Sequence, residues 1–88
     1  MSRHEKTIRR ICAKPTPSDI RWDEMVAALE SIGYVMSEGR GSHRKFYHAE
    51  VDDLIFCPKP HPSPVLDKGA VKEIARHLVG CGFFGEPS

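Results

Sequence analysis

Apolar residues recur at intervals of three and four from Ile20 to Ile32, through Trp22, Met25, Val26 and Leu29. That spacing gathers them on one side of an α-helix and predicts an amphipathic helix over 20–32. Gly33 ends it, because glycine accepts the left-handed conformation that closes a helix, and Tyr34 can fold back as the apolar contact beyond the cap. The same grammar returns near the C-terminus. Asp67 is a good N-cap, "KGAVKEIARHLVGC" aligns Val71, Ile74, Ala75 and Leu78, and Gly82 with Phe83 repeats the ending of Gly33 with Tyr34. A shorter leading segment, 4–13, spaces Ile8, Ile11 and Cys12 as a helix would, until Pro15 and Pro17 break it.

Between the two main helices the pattern shortens. "YVMSE", "HRKFYH" and "DLIFC" predict strands, with a tight turn at "GRG", where glycines supply positive φ, and another at "AEVDD". In the third strand both pairs, Leu54 with Phe56 and Ile55 with Cys57, are apolar, so alternation alone leaves open which pair faces the core. "PKPHPSPV" holds Pro58, Pro60, Pro62 and Pro64 and predicts an extended loop. The order is helix, three antiparallel strands, helix. Short connections favour a meander with both helices on one face, an α+β architecture with the layout of a double-stranded-RNA-binding domain. Residues 1–17 form an N-terminal extension to a domain spanning 18–88.

Composition narrows the class without choosing a function. Eighty-eight residues leave room for one core, and 40% apolar with 28% charged residues is ordinary for a folded chain. No apolar run reaches membrane-spanning length and "MSRHEKTIRR" lacks the apolar centre of a signal peptide, so a cytoplasmic protein with no membrane partner is expected. Cys12, Cys57 and Cys81 form no C-x-x-C pair and read as reduced, buried thiols. The net charge is only +1, but its distribution is uneven. Arg40, Arg44 and Lys45 stand in 39–48 without an acid, a local positive patch on a balanced chain.

That patch surrounds "GSH". If Phe46 faces the helices, Arg44 and His48 share its side, while His43, Lys45 and Tyr47 face solvent. An imidazole can give or take a proton near neutrality, and adjacent cations can hold a phosphate and stabilise charge building on it. RNA brings its own nucleophile, the 2′-hydroxyl, so this route needs neither a metal nor a cofactor.

The sequence resembles the HicA family of toxins from bacterial toxin–antitoxin systems. The matching features are "WDEMVAALESIGY" running into a strand, "GSH" with Phe46 three residues on, "HP" at His61 and Pro62, and "KGAVKEIARHLVGCGF". The likeness covers roughly 18–84. It implies an mRNA interferase on a double-stranded-RNA-binding-like fold, with His43 catalytic and Gly41 and Ser42 shaping the turn that presents it. It also implies a cognate HicB-type antitoxin, as a heterotetramer with it or beside a toxin homodimer. Arg40, Gly41, Ser42, Arg44 and Lys45 are then expected to contact RNA, together with Lys68 and Lys72 at the start of the last helix.

Other readings compete for some of these residues. Ser42 lacks a base to activate it and suits a turn-setting role. His48 reads as a partly buried histidine bonded to backbone, with assistance to His43 as the alternative. His61 is held by prolines and reads first as structural, His77 as a surface partner of Glu73. Trp22 reads as core. Only Cys57 and His61 have a local metal-ligand spacing, so no zinc site is expected. A non-catalytic RNA-binding module, or a protein-interaction module, would explain the cations but leave "GSH" without a purpose.

Overall fold

The computed structural model describes residues 3–85. Its elements are α1 (Arg3–Ile11), α2 (Trp22–Ser31), β1 (Val35–Glu38), β2 (Arg44–His48), β3 (Asp53–Phe56) and α3 (Lys68–Gly80). The strands form one antiparallel sheet in the order β1-β2-β3, the expected α+β arrangement.

Both main helices end as their sequences imply. At α2, Gly33 takes φ 111° while its N–H donates to Glu30 and that of Tyr34 donates to Leu29. At α3, Gly82 takes φ 82° and the amides of Gly82 and Phe83 donate to Val79 and Leu78. These paired bonds satisfy carbonyls that would otherwise be orphaned at a helix end. The α3 start is capped by Asp67, whose carboxylate accepts from the Ala70 amide at 2.7 Å.

The sheet register puts Met36, Phe46 and Ile55 in one cross-strand row, and Val35, Tyr47 and Leu54 in the next row on the opposite face. Phe46 and Ile55 are fully buried and Cys57 nearly so, which decides the ambiguity in the third strand: Ile55 and Cys57 face inward, Leu54 and Phe56 outward. Trp22 joins this core, its ring 5.9 Å from that of Phe46. The loops preceding α2 and α3 are tied by a bridge, with the Trp22 amide donating to Pro64 and the Leu66 amide to Ile20.

The leading segment is more than an appendage. Helix α1 buries Thr7, Ile8 and Ile11, and packs against α2 and α3. Its apolar side belongs to the same core cluster as Phe46 and Ile74.

Candidate active site

The hairpin between β1 and β2 turns one residue later than the sequence suggests. The positive φ belongs to Gly41, at 59°, and not to Gly39. The turn runs Arg40–Gly41–Ser42–His43 and closes with the His43 amide donating to Arg40 at 3.1 Å. A glycine with positive φ at the first central position is what a type II′ turn needs. His43 thus closes the turn and does not open the strand, which begins at Arg44.

Neighbouring backbone fixes this turn from both sides. Gly39 donates its amide to the His43 carbonyl at 2.9 Å, continuing the β1–β2 register. A Cβ on Gly39 would lie 3.2 Å from that of His43, so this position leaves the histidine close against bare backbone. On the other side the β2–β3 ladder continues past Phe56. The Cys57 amide donates to Arg44 at 3.1 Å and the Lys59 amide to Ser42 at 2.8 Å. The proline loop carrying "HP" is thereby stitched to the "GSH" turn.

Alternation along this extended register carries His43 to the face of Lys45 and Tyr47, and all three are exposed. Arg40 stands exposed at the turn's corner. Arg44 goes to the other side, as expected from its parity with Phe46. Its Nη1 donates to the Gly41 and His43 carbonyls, each at 2.9 Å, and its Nε lies 3.9 Å from Glu38. It braces the turn from beneath. Gly41, Ser42 and Arg44 line a cavity of about 490 Å³ together with Lys59, Pro60 and His61. Gly41 and Ser42 of the turn therefore share a surface with the "HP" loop, while His43 does not line it. Lys59 is the member that sequence reasoning passed over; its signal was a cation two residues before the histidine in a loop of fixed shape.

Lys68 and Lys72 are not drawn into this cavity. Lys68 is exposed at the first residue of α3. Lys72 lines a separate cavity of about 730 Å³, walled by Ile11, Cys12, Pro15, Ala75 and Val79.

The chain matches, over residues 22–78, the family described as HicA toxin of bacterial toxin-antitoxin. The chain belongs to the HicA toxin family. It is thus a toxin-antitoxin toxin, of a family whose members are generally mRNA-cleaving RNases. Comparison with curated proteins and with solved structures gives no match. Among the described residues of this HicA-family chain, no helix is long and apolar enough to cross a membrane, and no three His, Cys, Asp or Glu side chains gather as a metal site.

Two other histidines of the toxin, His48 and His77, have hydrogen-bonding partners. His48 is buried, with Nε2 2.7 Å from the Ile32 carbonyl, the backbone-bonded role expected. His77 departs from expectation. It does approach Glu73, at 3.4 Å, but its Nδ1 also meets the Asp53 carboxylate at 2.9 Å, and the same carboxylate accepts from the Tyr34 hydroxyl at 2.7 Å. Burial works to raise the Asp53 pKa, yet the hydrogen bonds from Tyr34 and His77 and the His77 charge outweigh it and hold the carboxyl below its ordinary value. Burial and the Asp53 bond push the Tyr34 phenol well above its usual range. This network joins the ends of α2 and α3 to the start of β3. Burial also raises the Cys12 and Cys57 thiols to about 11, which makes them poor nucleophiles.

Proposed function

We propose that this toxin is a metal-independent endoribonuclease of mRNA in which His43 is the general acid–base group. The supporting observation is the exposed imidazole at the end of a turn held on three sides: by Gly39, by Arg44 and by the Lys59–Ser42 bond. Preorganisation of this kind is what a single catalytic residue requires, since positioning supplies much of the rate. His43 takes the proton of an RNA 2′-hydroxyl while that oxygen attacks the adjacent phosphorus. The bond from phosphorus to the 5′-oxygen breaks, giving a cyclic 2′,3′-phosphate, and the departing oxygen receives a proton from the imidazolium. Arg40, Lys45 and Lys59 supply positive charge for the phosphate, with backbone of Gly41 and Ser42 shaping its approach. A HicB-type antitoxin, by covering this face, would silence the toxin.

The experiment uses the antitoxin-free chain and an end-labelled single-stranded RNA, with and without EDTA. Expected are fragments ending in cyclic phosphate and 5′-hydroxyl, insensitive to EDTA and lost in a folded His43→Ala variant. Intact RNA after incubation with folded wild-type protein overturns the proposal. Cleavage retained by His43→Ala removes His43 as the catalyst.

A further inference from the structure

The open face of the sheet carries an unusual set of side chains. Two cross-strand rows make it up: Val35, Tyr47 and Leu54 in one, and Ser37, Lys45 and Phe56 in the other. Val35 is 69% exposed and Phe56 63%, with Tyr47 and Leu54 near two fifths. Single exposed apolar residues need no explanation, but four sharing one face of a three-stranded sheet do. None of the six positions is acidic, and one is a lysine.

From this we infer that the face is a base-stacking platform, on which Tyr47 and Phe56 receive unpaired nucleobases of single-stranded RNA leading to His43. The inference rests on the RNA-cleaving reading above and adds how the substrate is held. Tyr47 and Phe56 are diagonal across β2 and β3, a separation of about 7–8 Å that lets each ring take its own base. The Tyr47 hydroxyl donates to Asp52 at 2.8 Å, which fixes the ring in advance. Lys45 Nζ lies over the Phe56 ring, 5.9 Å from its centre, so a base stacking on that face displaces a flexible ammonium that can then meet the phosphate of the same nucleotide. Lys45 also follows His43 by two positions on the same side of the chain, so platform and imidazole form one continuous track. Aromatic faces flanked by cations are how sheets hold single strands without choosing a sequence. A protein partner would also use these rings, but only a stacking platform takes up a short oligonucleotide through them. That difference decides the test.

The measurement is fluorescence anisotropy of a short labelled oligouridine on a His43→Ala background, which prevents cleavage during titration. Phe56→Leu keeps an apolar side chain and removes the ring; Phe56→Trp enlarges the ring. Phe56 is exposed, so neither change threatens the fold, and circular dichroism checks this. Stacking predicts roughly tenfold weaker binding for Phe56→Leu, a similar loss for Tyr47→Leu and recovery with Phe56→Trp. Affinity unchanged by Phe56→Leu and Tyr47→Leu overturns the platform and leaves the face to a protein partner. If in addition wild type still cleaves RNA, the platform alone has failed. Absence of cleavage by wild type refutes the nuclease reading separately, since the binding titration does not depend on it.

Discussion

The Lys59 amide donates a 2.8 Å hydrogen bond to the Ser42 carbonyl, and this contact ties the loop that carries "HP" to the turn that carries "GSH". They are separated by seventeen positions in the chain, yet the continued β2–β3 ladder makes them neighbours. The turn presenting His43 is consequently a fixed corner of the sheet, with Arg44 beneath it and the proline loop beside it.

Arg44 tests whether that rigidity matters. Its guanidinium holds the carbonyls of Gly41 and His43, so Arg44→Met keeps the buried stem and frees both. We expect RNA cleavage to fall about tenfold to a hundredfold, the scale of a small misplacement of a catalytic group. The pH profile of the residual activity should keep its shape, because the reacting group is unchanged. A pH midpoint that moves with the substitution would show Arg44 acting on the charge of His43 and not on its position.

Helix α1 should behave as core. Ile8 and Ile11 are buried between α2 and α3, Ile11 at 1% exposure. Ile11→Ala is expected to cost about 2–5 kcal/mol, the usual range for truncating a buried isoleucine. Ile8→Ala should follow in the same direction. Urea unfolding of both variants reads this directly, and a loss below about 0.5 kcal/mol, typical of surface positions, would mean α1 is dispensable.

Gly33 is constrained twice. Its φ of 111° is one that residues with a Cβ rarely adopt, and a Cβ there would meet His48 Nε2 at 2.5 Å. That nitrogen is the one bonded to Ile32, so the clash also attacks a buried hydrogen bond. Gly33→Ala should destabilise by more than the ~1 kcal/mol of an ordinary left-handed substitution. Gly41→Ala is the comparison, because its φ is positive but nothing lies within 4 Å of its Cβ position. Equal losses at the two sites, measured by thermal unfolding, would show that His48 yields freely.

How much of this was legible in the chain depended on whether the signal was local. The periodicity around Met25 and Leu29, the Asp67 cap and the two glycine endings are written in neighbouring residues, so element order and both main helices could be read directly. The inward pair of the third strand could not, because Leu54, Ile55, Phe56 and Cys57 are all apolar and only packing against Phe46 separates them. The turn was displaced for a similar reason: Gly39, Gly41 and Ser42 all suit turns, and the ladder decides among them. The candidate role of His43 rests on its word and the family resemblance, whereas the hold of Lys59 and Arg44 on its turn comes from hydrogen-bonding partners that no spacing records. The surroundings of His77 were hidden in the same way, since Asp53 lies 24 positions away in the chain.

That hidden contact gives the toxin a definite acid limb. Asp53 accepts from Tyr34 at 2.7 Å and meets His77 at 2.9 Å, and these partners hold its carboxyl below the ordinary aspartate range. A carboxylate depressed on folding contributes stability that is fully present above its unfolded pKa and is lost as pH falls through the folded one. The loss attributable to Asp53 should therefore begin only below about pH 4, where unfolded chains take up the proton first. Asp53→Asn removes the charge while keeping the shape. It is expected to cost about 1.5–3 kcal/mol at neutral pH, the range for hydrogen bonds to a charged group, and to shrink the difference from wild type as the medium is acidified. Urea unfolding of both proteins at a series of pH values from neutral downward measures that difference. A gap that stays constant to the lowest pH at which both fold would mean that the carboxylate's charge contributes nothing, and that the network holds β3 to α3 through neutral hydrogen bonds alone.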